Sequence, residues 1–137
     1  MTLDFSSLEK AISQLEEGLR IAGRAPDNKL MRDGVIQRFE YTYELSHKML
    51  KRFLEATEAS PEQFDEMSFA DLIRTASERG LVLQGWDKWS QYRKLRGTTS
   101  HTYDAKKAAE VFAVIPEFLD EARYLHQKLK SRQAEQR

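Results

Sequence analysis

The 137-residue chain contains no cysteine, which excludes disulfides and thiolate metal sites and points to the reducing cytoplasm. It has only three prolines and six glycines, so its chain breaks are few and each one is informative. Neither charge sign is in excess: 22 Lys and Arg balance 22 Asp and Glu, leaving no global field to draw in nucleic acid or an anionic membrane. No apolar run approaches the ~18 residues of a membrane span. MTLDFSSLEK has neither the basic start nor the apolar block of a secretory leader. What is left is the expectation of a soluble, cytoplasmic domain. Its 40% apolar and 32% charged residues suit a highly charged helical protein.

Helical periodicity runs through most of the chain. SSLE puts Ser6 and Glu9 at capping-box spacing. Leu8, Ala11, Ile12, Leu15 and Leu19 follow at helical steps until GRAPDN stops the first helix. A second helix is expected over residues 29–58. Val35, Phe39, Thr42, Ser46, Met49 and Phe53 mark its inner face, and Ile36, Tyr43, Leu50 and Leu54 widen it. TEASPEQFDEM reads as a polar loop. Ser68 and Asp71 open a third helix that Gly80 closes in a left-handed cap. LVLQG reads as a packed connector, because a lone strand has nothing to pair with. Trp86, Trp89, Tyr92, Arg93 and Arg96 line one face of a fourth helix. The fifth starts after Asp104, carries a stripe from Ala108 to Leu129, and contains Pro116, which removes a backbone bond and kinks it. The expected architecture is all-α: an antiparallel up-and-down four-helix bundle with one extra short helix. It occupies residues 1–131 as a single domain, and residues 132–137 form a charged, frayed tail.

RGTTSHTYD, residues 96–104, stands apart from these amphipathic segments. Arginine offers a fixed fork for phosphate oxygens, and histidine as a residue type can move a proton near neutral pH. Thr98, Thr99, Ser100 and Tyr103 add hydroxyls; Arg93, Lys94, Lys106 and Lys107 make the surroundings basic. A bend at residues 97–100 that brings Arg96 to His101, beside the free N–H groups of the next helix, makes an anion site. On residue types alone, the ordinary reading stands ahead of it: Ser100 and Asp104 cap a helix and His101 bonds locally.

The resemblance to a known family changes that balance. The Arg-four-residues-His-x-Tyr pattern in RGTTSHTYD resembles that of HEPN proteins, in particular the nucleotidyltransferase substrate-binding proteins. RDGVIQRFEYTYELSHKMLKRFLE, residues 32–55, resembles their second-helix signature at the matching separation. The toxin halves of HEPN/minimal-nucleotidyltransferase toxin–antitoxin modules are similar. The resemblance implies a HEPN-like bundle, a homodimer, and a separately encoded minimal nucleotidyltransferase as partner. By position it implies Arg96 and His101 as the HEPN pair, which in toxin relatives cleaves RNA without a metal. It implies Tyr103 as the tyrosine that the partner adenylylates. The phosphate-binding set is then Arg96, Thr98, Ser100, His101 and Tyr103, with no cofactor and no metal. One departure bears on catalysis: ribonuclease members usually carry a polar residue after the arginine, where this chain has Gly97. The first reading is therefore a nucleotide- or RNA-phosphate-binding subunit, and the second a metal-independent ribonuclease toxin. A third reading is a plain structural bundle.

Two further features have ordinary readings. Glu44 and His47 reproduce the Glu-x-x-His step of bundle di-metal sites, but once only and beside Lys48 and Lys51, so Arg38, Glu40 and Glu44 read as solvated or interfacial salt bridges. Trp86, Trp89 and Tyr92 read as core or dimer interface before base-stacking residues. Wide apolar faces on the second and fifth helices, with aromatics on the fourth, exceed what one small bundle needs to bury. A homodimer is the expected result of light scattering at micromolar concentration; a strict monomer would remove any cleft shared between two copies.

Overall fold

The computed structural model describes residues 2–136; Met1 and Arg137 lie outside the described residues. Among the described residues, five helices follow in order: α1 (Ser6–Gly23), α2 (Lys29–Thr57), α3 (Phe69–Glu78), α4 (Trp86–Arg96) and α5 (Ala105–Glu135). Single 3-10 turns interrupt two connections, at Pro61–Phe64 and Thr99–His101. The all-α bundle expected from periodicity is present. Its helices divide into three long ones, α1, α2 and α5, and two short ones, α3 and α4, of 10 and 11 residues. Among the described residues, no helix is long and apolar enough to cross a membrane.

Local chemistry explains most helix boundaries. Ser68 caps α3 by accepting the Asp71 N–H at 3.1 Å. Gly80, at φ +68°, ends that helix: Leu81 N–H reaches back to the Ala76 carbonyl at 2.9 Å, the bond that only a left-handed residue permits without strain. Asn28 caps α2 through Met31 N–H at 3.0 Å. The capping box at Ser6 does not form. The N-cap is Phe5, and the Ser6 N–H is taken instead by Asp4 Oδ1 at 2.9 Å, because Ser6 is already the first helical residue rather than the cap that the SSLE pattern suggests.

Two stretches that read as polar or frayed are ordered by long-range contacts. Phe64, within the expected polar loop, is 1% exposed, carried into the core by the turn that Pro61 begins. The segment after residue 131 stays helical to Glu135. There Gln133 treats Leu3 as a strand partner would, accepting its N–H at 2.8 Å and donating to its carbonyl at 3.0 Å. A side-chain amide that satisfies both backbone groups holds the two chain ends together.

The core is aromatic around Phe118, which meets Phe39 and Tyr92 edge-on with ring centroids 5.0 and 5.2 Å apart. Trp89 and Tyr92 are fully buried within one chain, and Trp86 packs edge-on against Phe69. Trp89 and Tyr92 are therefore core, whereas Trp86 stays partly exposed.

One buried charge organises the α3–α4 region. Glu121, on the apolar stripe of α5, is fully buried. Its carboxylate accepts the Leu83 N–H, the Gln84 N–H and the Trp89 indole N–H at 2.9 to 3.2 Å. Burial pushes its carboxyl above the ordinary glutamate value of 4.5, against the pull of those three donors. The folded chain thus holds this proton more tightly than the unfolded chain does. The group's contribution to stability is full below pH 4.5 and declines as pH rises through the raised native value. Glu121→Gln is expected to flatten that stretch of the stability–pH curve. Glu121→Ala, which strands three donors, is expected to cost about 3 kcal/mol or more, read by urea unfolding. An unchanged midpoint for the alanine variant would remove Glu121 from this role.

Candidate functional site

The segment singled out in the sequence forms the joint between α4 and α5. Cations gather at the C-terminus of α4, where Arg93, Lys94 and Arg96 occupy the last turn and complement the negative end of the helix dipole. Gly97 follows at φ −65°, ψ −17°, a conformation any residue adopts. A Cβ there meets only the Lys94 carbonyl oxygen closely, at 3.3 Å. The glycine is not demanded by the backbone, so its effect lies in the side chain it lacks.

Arg96 turns toward α2. Its Nε–H donates to Glu44 Oε1 at 2.8 Å, and its Nη2 lies 3.8 Å from Glu40 Oε1. Nη1 donates to the Thr99 hydroxyl at 3.3 Å, and that hydroxyl lies 2.7 Å from Glu40 Oε2. Thr99 accepts from Arg96 and has one hydrogen to give; Glu40 at 2.7 Å, shorter and charged, is a better acceptor for it than the Arg96 carbonyl at 2.9 Å. The result is a ring of polar contacts in which α2 grips both Arg96 and the 3-10 turn. Thr99 is buried, whereas Arg96 is half-buried and Glu44 exposed.

His101 and Tyr103 form a second pair. His101 Nδ1 lies 3.3 Å from the Tyr103 hydroxyl, and Tyr103 is 84% exposed. Ser100 is exposed, and the Thr98 hydroxyl donates to the Leu95 carbonyl at 2.8 Å. Arg32, from the start of α2, supports this loop by donating to the Thr102 carbonyl at 3.3 Å while pairing with Asp33. The N-terminus of α5 is not open: the Asp104 carboxylate accepts the Lys106 and Lys107 N–H groups at 3.0 and 3.3 Å. Those two donors, expected to face an anion, are taken by the chain's own cap. Exposed cations at Arg93, Lys94, Lys106 and Lys107 remain around the joint, although the Arg93 guanidinium also lies over the Phe69 ring at 5.5 Å.

The sequence thus points to the joint but not to its α2 half. Glu40 and Glu44 have the pattern of ordinary surface ion-pair partners; they are the groups that hold Arg96. Their spacing of four was the available signal, since it stacks two carboxylates on one helix face. The Glu-x-x-His step is divided between unrelated tasks: Glu44 serves Arg96, while His47 lies against the Phe69 ring, 4.5 Å between centroids. Burial lowers the His47 pKa below the ordinary histidine value.

The sequence profile described as "Nucleotidyltransferase substrate binding protein like" matches residues 3–131. The chain belongs to that family. A Haemophilus influenzae protein named "Probable ribonuclease HepT" is 42% identical over 99 residues, covering 72% of this chain and 67% of that protein. Among solved structures, a Haemophilus influenzae protein described as showing the fold of a substrate binding domain of a nucleotidyltransferase superposes with a TM-score of 0.87. It is 33% identical and covers 93% of this chain and 99% of that one. A Thermus thermophilus protein superposes with a TM-score of 0.70, at 29% identity, over 89% of this chain and 98% of that one. Like those relatives, this substrate-binding family member is a helical bundle, and its joint is the segment that carries the Arg–His–Tyr pattern.

The polar ring gives the joint a measurable rigidity. Thr99→Val keeps shape but removes the hydroxyl between Arg96 and Glu40. It is expected to lower stability by about 1–2 kcal/mol and to raise amide exchange in residues 97–104, read by hydrogen exchange. Unaltered exchange there would mean that the ring does not hold the turn.

Proposed function

We propose that this chain is the substrate-binding subunit of a two-component minimal nucleotidyltransferase. It acts as a homodimer that presents a nucleotide or RNA phosphate at the α4–α5 joint to a separately encoded catalytic partner. The toxin–antitoxin module is the setting this reading favours. The observation that carries it is the His101–Tyr103 pair, its tyrosine exposed, on the joint that Arg96 opens, in a chain of the substrate-binding family. Arg96 supplies the charge-assisted contact to a phosphate oxygen. Ser100, Thr98 and the nearby lysines add hydroxyls and positive charge.

Tyr103 is the group the partner modifies. Its oxygen attacks the α-phosphorus of ATP, a new P–O bond forms, the bond to pyrophosphate breaks, and the phenolic proton passes to His101 Nδ1, 3.3 Å away. The pair needs no rearrangement to begin this step, provided His101 is in the tautomer that leaves Nδ1 free to accept.

A second reading, metal-independent RNA cleavage, is favoured by the name of the 42%-identical relative. One His101 takes the 2′-hydroxyl proton, its copy across the two-fold axis protonates the leaving 5′-oxygen, and Arg96 stabilises the charged phosphorane. Gly97 weighs against it. No side chain at that position can orient His101 or RNA, and a proton-transferring histidine contributes its ~10²–10⁴-fold only when held in register.

One assay separates the two. Fluorescent single-stranded RNA is incubated in EDTA with wild type and with Arg96→Ala, His101→Ala and Gly97→Asn, and both binding and cleavage are read. Wild type is expected to bind with little or no cleavage, and Arg96→Ala to lose about 1.5–3 kcal/mol of binding. Brisk cleavage by wild type that disappears in His101→Ala would put the ribonuclease first. Equal binding by wild type and Arg96→Ala would move the phosphate site away from this joint.

A further inference from the structure

The grip of α2 on Arg96 has a consequence for any anion that binds there. A guanidinium has five N–H donors. In Arg96 the Nε–H is spent on Glu44, one Nη1 hydrogen points to Thr99, and Nη2 faces Glu40. The Nε/Nη2 edge is one of the two a carboxylate or phosphate can engage with paired bonds, and it is already filled by the chain's own carboxylates.

The two carboxylates are held differently. Glu40 is half-buried, and its second oxygen lies 2.7 Å from the Thr99 hydroxyl, so it belongs to the turn. Glu44 is exposed, with 54% of its side chain in solvent, and among the described residues Arg96 Nε is its one hydrogen-bond partner. It can leave at the cost of a single exposed ion pair, while Glu40 and Thr99 keep the guanidinium in place.

We infer that Glu44 is the resident counter-anion of Arg96, and that phosphate binding at this site is an exchange. The incoming oxygen takes the Nε–H edge as the Glu44 carboxylate moves into solvent. This rests on the reading that the joint binds phosphate, and it adds a specificity device to it. Neutral or weakly charged ligands cannot displace Glu44, whereas a phosphate backbone with further contacts to Lys94, Lys106 and Lys107 can. Until a ligand arrives, the charge of Arg96 is balanced within the chain by Glu44 and Glu40. Because Glu44 rather than solution ions neutralises Arg96, this contact adds little to the salt dependence of binding.

Fluorescein-labelled oligouridylate, titrated by anisotropy, tests this with wild type, Glu44→Gln, Arg96→Ala and the double variant. Glu110→Gln, which removes the same charge from an exposed position on α5, serves as the control for general electrostatics. Glu44→Gln is expected to bind about two- to fivefold more tightly, the range set by one exposed ion pair. The slope of log affinity against log salt should steepen by up to about 0.7, one phosphate contact on a single strand. The gain should be absent in the Arg96→Ala background, because the two side chains act on each other. Unchanged or weaker binding by Glu44→Gln, where wild type binds and Arg96→Ala does not, overturns the exchange and leaves the phosphate site standing. An equal gain from Glu110→Gln, or a gain that persists without Arg96, also overturns it. Failure of every protein to bind, Glu44→Gln included, removes the phosphate site and the exchange together.

Discussion

A carboxylate buried in an apolar core is costly unless its oxygens are satisfied, and Glu121 meets that condition with three donors from one short region. The consequence reaches well beyond the glutamate. Two of the donors are backbone N–H groups of the connector after α3, and the third is the indole of Trp89 on α4, so a single residue of α5 fixes both the approach and the seating of α4. With Trp89 held, Tyr92 one turn later is also fully buried against Phe118. Arg96 a further turn along is then delivered to α2. The candidate site depends on a contact it does not contain.

At the far end of α4 the polar ring of Arg96, Thr99, Glu40 and Glu44 performs a similar task at the surface. There, water competes for each contact, and an exposed ion pair contributes only modestly to stability. This difference in environment separates the two networks in kind. The interior one is rigid because breaking it strands buried donors. In the surface one, only the exposed Glu44 contact can break at little cost, while Glu40 and the buried Thr99 hold the turn. Arg32 adds a third tie from α2, to the Thr102 carbonyl, so the second helix contributes to the joint from its first turn through Glu44.

Family membership and fold carry different weights. The bundle is shared with a relative at a TM-score of 0.87, and a helical bundle by itself accommodates many functions. The functional reading therefore leans on particular groups: an exposed tyrosine, a histidine in contact with it, and an arginine whose charge is balanced from within. Gly97 stands among them as an ordinary helical-region residue rather than a conformational necessity. Its importance lies in the polar side chain it withholds from the joint.

The helices were legible in the sequence because their signals are local. Apolar stripes at helical steps, a serine cap three residues before its partner N–H, a glycine at a left-handed helix end and an aspartate before the last helix each act within about one turn. The nine-residue joint was legible for the same reason, as a break in that periodicity. The tertiary structure alone decided which groups face each other across it. Glu44 lies 52 residues from Arg96, Gln133 lies 130 from Leu3, and Glu121 lies 32 from Trp89. No period along the chain encodes such pairings, because a charged side chain on a helix face can be solvated or paired with equal local cost. Only the packing of α4 between α2 and α5 brings one cation and two carboxylates to the same point, and that packing follows from apolar burial, which is indifferent to which charges it brings together.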